Sequence, residues 1–171
     1  AGAIGLAIVF VFMCMVYLLP GLASSLALVI YTGLILVLLN AFDITLTLPG
    51  IAGIILGIGM AVDANVIIFA RVKEELTAGK SVKSALNAGF HKAMSAILDG
   101  NITTLIAAAV LWLKGSGTVK GFAQTLALGI VVSMFTALVI TRMIVYAFYA
   151  VGIRNTKLYG RIKEERAPID F

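Results

Sequence analysis

The sequence predicts an all-α membrane protein: a bundle of five transmembrane helices with a short amphipathic helix on its cytoplasmic side. Three observations carry this. The 171 residues are 61% hydrophobic and only 12% charged, where a soluble domain carries about 25% charged residues. The mean hydropathy is +1.10. The apolar residues also fall into runs of the length that crosses a bilayer, about 20 residues at about 1.5 Å each.

The runs cover roughly 1–19, 22–42, 48–69, 93–113 and 121–142, and together they make one domain, 1–153. Pro20-Gly21 ends the first run. The sequence opens on Ala1, with neither an initiator Met nor a basic segment before the apolar run. This opening reads as a piece of a longer chain and not as a signal peptide.

Charge between the runs sets the expected orientation. Arg71, Lys73, Lys80, Lys83 and Lys92 lie between the third and fourth runs. Arg142 bounds the fifth, and Arg154, Lys157, Arg161, Lys163 and Arg166 follow it, whereas Lys114 and Lys120 alone lie between the fourth and fifth. By the positive-inside rule the 70–92 loop and the basic tail 154–171 are cytoplasmic, which puts Ala1 outside. The net charge of +5 is therefore a matter of anchoring in anionic lipid, not of nucleic-acid binding. Within the loop, Gly79 reads as a helix terminator and Ser81 as an N-cap. Val82, Ala85, Leu86, Gly89 and Phe90 then recur at helical spacing, an amphipathic helix lying on the membrane surface. A docking helix for a cytoplasmic partner is the alternative.

Cys14 and His91 are the only residues of their kinds, so neither a disulfide nor a metal site is expected. No nucleophilic triad, phosphate-cradling loop or cofactor motif appears, and no enzyme activity is expected.

The chemistry lies inside the spans. Asp63, with Asn65 two residues on, sits in the third run; an Asp at mid-membrane costs roughly 2.5–3.5 kcal/mol of insertion energy, so it is expected to face helices or water. The fourth run holds Asp99, Asn101, Thr103 and Thr104. Asp63 stands eight residues before Arg71 and Asp99 seven after Lys92, which places both carboxylates roughly 10–12 Å inside the same boundary. A polar layer between the two helices is the expectation. Low dielectric disfavours a charged carboxylate, and a second one at the same depth disfavours it further, so such a pair can exchange protons near neutral pH. The alternative is plain interhelical hydrogen bonding, which averages only about 0.6 kcal/mol in membranes and falls short of the insertion cost of two acids. Proton or ion handling is the preferred reading for Asp63; Asp99 stays open between the two.

Gly53, Gly57 and Ala61 form a small-residue ridge suited to close helix packing, while Gly59 shares the Asp63 side. Gln124, Thr125 and Ser133 are candidates either to line the polar interior or to bond their own backbone.

Four motifs in order carry a resemblance: Leu48-Pro49-Gly50-Ile51-Ala52-Gly53, Gly59-Met60-Ala61-Val62-Asp63-Ala64-Asn65-Val66, Asp99-Gly100-Asn101-Ile102-Thr103-Thr104 and Lys120-Gly121-Phe122-Ala123. The chain resembles the SecD family of bacterial protein-export subunits over nearly its whole length. SecF is similar in plan, but the Asp-Gly-Asn-Ile-Thr-Thr run is closer to SecD. The resemblance implies membership of the resistance-nodulation-division superfamily and a multi-pass place in the bacterial cytoplasmic membrane. It further implies a pseudo-symmetric pairing with a SecF-like subunit, action beside the SecYEG channel on a translocating preprotein, and proton flow as the driving force. The family's intramembrane Asp falls on Asp63, and Asp99, Asn101 and Thr103 match its second polar cluster. A complete SecD has a further N-terminal helix and a large periplasmic domain that this sequence lacks. Phe69-Ala70-Arg71 also replaces the family's usual Phe-Glu-Arg, which removes one acid from an ion pair at that end. The rival readings are a piece of another proton-driven exporter of the superfamily and a non-conducting anchor module.

Overall fold

The computed structural model describes residues 2–17 and 19–151, Leu19 by its backbone alone. The basic tail 154–171 lies outside the described residues. Helices are α1 (Gly2–Tyr17), α2 (Leu19–Ala41), α3 (Leu48–Thr77), α4 (Val82–Lys114), α5 (Thr118–Phe135) and α6 (Thr141–Ala150), with a π-helical turn at Thr136–Ile140 joining the last two. There is no strand among the described residues. Four helical stretches are long and apolar enough to cross a membrane: Pro20–Ala41, Leu48–Thr77, Val82–Lys114 and Thr118–Ala150. Helix α1, at 16 residues, falls short of the roughly 20 that a perpendicular crossing takes.

Helix α3 is the centre, packed against α5 on one side and α4 on another. Its start is set locally: Thr47 Oγ1 accepts from the Gly50 amide at 3.1 Å, and Pro49 in the first turn needs no hydrogen-bond acceptor. Gly53 and Gly57 are buried on its α5 side. A Cβ at Gly53 would lie 2.3 Å from Thr125 Oγ1, and one at Gly57 2.6 Å from the Tyr31 hydroxyl. Ala61, third in that row, is 3% exposed. Gly59 has open space beside it.

The segment 82–90 differs from its expected form. It is the first part of a continuous 33-residue α4, not a separate helix on the membrane surface. Gly79 (φ +90°) does end the preceding turn, and Ser81 does cap, its Oγ accepting from the Ser84 amide at 3.4 Å. The apolar face of 82–90, however, is covered by protein. Val82, Leu86 and Phe90 share a buried cluster with Phe69, Val72 and Leu76 of α3, because α3 runs two turns beyond its apolar stretch, to Thr77. A helical hairpin results. Helical periodicity identifies a face that must be covered without saying what covers it.

A three-charge clasp closes the hairpin. The carboxylate of Glu75, its side chain 5% exposed, accepts from both the Lys80 and the Lys92 ammonium groups. Hydrogen bonding from Lys80 and then from Lys92 holds the Glu75 carboxyl below the usual carboxylate value of 4.5. A carboxylate whose pKa is depressed by folding stabilises the fold fully above its unfolded value and loses that contribution as pH falls through the folded one. Acidification below about 4.5 should therefore loosen the hairpin. Amide hydrogen exchange in 72–86 is expected to speed up there, and Glu75→Gln to show the faster exchange already at neutral pH.

Candidate functional site: an acid-lined cleft between α3 and α4

A cleft of about 230 Å³ lies between α3 and α4, lined by Met60, Asp63, Ala64 and Ile67 from one helix and by Ala96, Ile97, Gly100, Asn101 and Thr104 from the other. It exists because α4 presents a row of buried residues to α3 at four-residue spacing, Ala85, Gly89, Ala93, Ile97 and Asn101. Small side chains in that row admit close approach; where Gly100 and Ala96 leave volume empty, the cleft opens.

Asp63 lines the cleft and is exposed. Asn101 is buried, and its Nδ2 donates to the Ile97 carbonyl at 2.8 Å. Thr104 Oγ1 donates to the Gly100 carbonyl at 3.0 Å. Both groups thus spend a donor on their own helix and keep acceptor oxygens. A carboxyl, an amide and a hydroxyl therefore border one small volume, an arrangement able to hold water beside an acid.

Three other candidates lie elsewhere. Asp99 is exposed and does not line the cleft. Thr103 Oγ1 donates to the backbone carbonyl of Asp99 at 2.9 Å, not to its carboxylate. Asp99 and Asn101 are about 200° apart around a helix of 3.6 residues per turn. With Asn101 against α3, Asp99 turns outward, so the two acids do not form the layer between helices that their equal depth implies. Asn65 is likewise some 200° from Asp63. It is buried on the far side of α3, where its Oδ1 accepts from Thr141 Oγ1 at 3.0 Å. The π turn immediately before Thr141 re-aims that hydroxyl, a use typical of such turns.

Thr125 and Ser133 bond backbone carbonyls of their own helix, at 3.0 Å to Phe122 and 2.9 Å to Ile130. Gln124 faces a separate, mostly apolar groove with Trp112 and Phe42. None of the three reaches the cleft. Arg71, which lacks an acid at position 70, pairs with Glu74 at 2.9 Å. The Glu75 clasp and the Asn65–Thr141 pair were not expected from sequence. Glu75 had a signal, a carboxylate four residues into a row of basic ones; Thr141 had none, since its orientation depends on the π turn.

Fold and cleft define a polytopic helical membrane protein with a carboxylate set among apolar spans. Residues 1–151 match the family described as protein export membrane protein SecD/SecF, C-terminal, and the chain belongs to that family. It is 55% identical over 157 residues to the protein translocase subunit SecD of Acidaminococcus fermentans, covering 92% of this chain and 37% of the relative. It is 56% identical over 142 residues to the SecD of Synechocystis, covering 83% and 30%. The chain thus spans about a third of the length of these relatives. Among solved structures, SecDF of Thermus thermophilus, a translocon-associated membrane protein, superposes with a TM-score of 0.85 at 43% identity, covering 88% of this chain and 21% of that one. SecDF in a super-membrane-facing form gives a TM-score of 0.82 at 42% identity over the same shares.

Proposed function

We propose that the chain is the membrane portion of a SecD-type subunit that couples proton passage to late-stage protein translocation across the bacterial cytoplasmic membrane, with Asp63 as the proton-carrying group. The observation that carries this is the placement of Asp63: a carboxyl within an apolar span, bordering a cleft shared with Asn101 and Thr104. An acid at that depth is costly unless protein or water covers it, and the exposure of Asp63 in this chain calls for both. A SecF-like subunit is the proposed cover, the SecYEG channel the proposed neighbour, and a translocating preprotein, handled by a periplasmic domain elsewhere in the subunit, the proposed cargo.

In this reading α1 completes a five-span bundle. The end bearing Arg71, Lys80, Lys92 and Arg142 is cytoplasmic together with the 154–171 tail, and Ala1 is outside. Asn101 and Thr104 hold the water that passes the proton on. Asn65 and Thr103 act through the contacts that fix their helices, and Asp99 belongs to the outer face of α4.

The test is late-stage export of a preprotein by vesicles containing the full-length subunit, with and without an imposed proton gradient. Faster export with the gradient is expected. Export indifferent to the gradient would leave the anchor module as the better reading.

A further inference from the structure

Arg142 carries no role in the mechanism above, yet it is the most deliberately held cation in the molecule. Its guanidinium carbon lies 5.8 Å from the centroid of the Phe90 ring and 5.6 Å from that of Tyr146. The two rings are themselves in contact, 6.4 Å apart and tilted by 38°. Phe90 is 2% exposed, and the Tyr146 hydroxyl donates to Asn87 Oδ1, so both rings are fixed by α4. No carboxylate among the described residues forms an ion pair with Arg142, and the residue is exposed.

A guanidinium stacked on ring faces leaves its N–H edge free, a flat fork that matches two oxygens of a phosphate. The surroundings narrow the source of that phosphate. Arg142 lies beside Phe90, at the level where α4 passes from its basic entry (Lys83, Lys92) into the apolar run. The segment leading to it exposes Phe135, Val139 and Met143, at 52%, 41% and 66%. An anion bound here has a cation at its head and an apolar strip below it, which fits a lipid and not a free ion.

We infer that Arg142, clamped by Phe90 and Tyr146, is a binding site for the phosphate of an anionic phospholipid whose acyl chain lies along Phe135, Val139 and Met143. The site requires only that the spans lie in a bilayer; it stands or falls apart from proton coupling.

Native mass spectrometry of the full-length subunit tests it, using phosphatidylglycerol and phosphatidylcholine with the same acyl chains. The wild type should retain phosphatidylglycerol in preference. Arg142→Gln should lower that retention about tenfold, the scale of a lost charge-assisted hydrogen bond, and leave phosphatidylcholine unchanged. Arg142→Lys, which keeps the charge but not the fork, should fall between. Equal retention of the two lipids by the wild type, or undiminished phosphatidylglycerol on Arg142→Gln, overturns the site. So does binding of inorganic phosphate without any lipid preference. If Arg142→Gln does not fold, as judged by helix content, Arg142→Lys decides: weaker phosphatidylglycerol retention supports the site and wild-type retention overturns it.

Discussion

Asp63→Asn in the full-length subunit is expected to abolish the gradient-dependent part of export while leaving the protein as stable as before, or more so. The two substituents have nearly the same shape, and Asn still donates and accepts hydrogen bonds beside Asn101 and Thr104. What it lacks is a proton that can leave. On insertion scales an Asp at the centre of a span costs about 2.5–3.5 kcal/mol, so removing the acid relieves the membrane-inserted fold. Loss of export together with unchanged or raised melting temperature therefore separates the proton from the packing. Export and its gradient response, measured beside the melting temperature, check this. A variant that exports normally removes Asp63 from the mechanism, and one that fails only because it unfolds assigns it to the fold. Asp99→Asn makes the contrast: Asp99 stands outside the cleft, so most of the gradient response is expected to survive.

The difference between those two acids shows where sequence reasoning ends. Depth along a helix follows from counting residues, and the equal depths of Asp63 and Asp99 were legible. Direction around the helix depends on which face meets its neighbour. For α4 that face was written in the sequence, since Ala85, Gly89, Ala93, Ile97 and Asn101 repeat every four residues and are all buried. Following that row selects Asn101 and Thr104 for the cleft and rejects Asp99 and Thr103. The polar letters in the Asp-Gly-Asn-Ile-Thr-Thr run draw the eye; the small apolar ones beside them fix the geometry.

Element ends were legible where chemistry is local. Thr47 with Pro49 starts α3, and Gly79 with Ser81 makes the turn into α4. The length of α3 and α4 beyond the apolar boundary was not, because two helices cover each other there and only their pairing makes either face buried. The π turn at Thr136–Ile140 leaves no mark in hydropathy. It answers to Thr136, Ser133 and Thr141, whose hydroxyls are occupied by the Ser133 carbonyl, the Ile130 carbonyl and Asn65 respectively.

Gly89→Ala is expected to be the most damaging single-methyl change in the bundle. A Cβ there would stand 2.4 Å from Val72 Cγ2 and 2.8 Å from both the Cα and the N of Val72. The side-chain clash is open to a rotamer change; the backbone clash is not, so α3 and α4 must separate. Overpacking of this kind costs about 1–3 kcal/mol, against a gain in helix propensity of about 1 kcal/mol for replacing Gly by Ala. Separation also draws Lys92 away from Glu75 on the next turns, and the clasp and the crossing should weaken together. Gly59→Ala and Gly100→Ala are the controls, since nothing lies within 4 Å of either added methyl; there the propensity gain is unopposed. Melting of the three variants in the same detergent should place Gly89→Ala below the wild type and the other two at or above it. If Gly89→Ala melts with the controls, the two backbones do not meet at Val72, and the cleft that depends on their crossing would have a different shape.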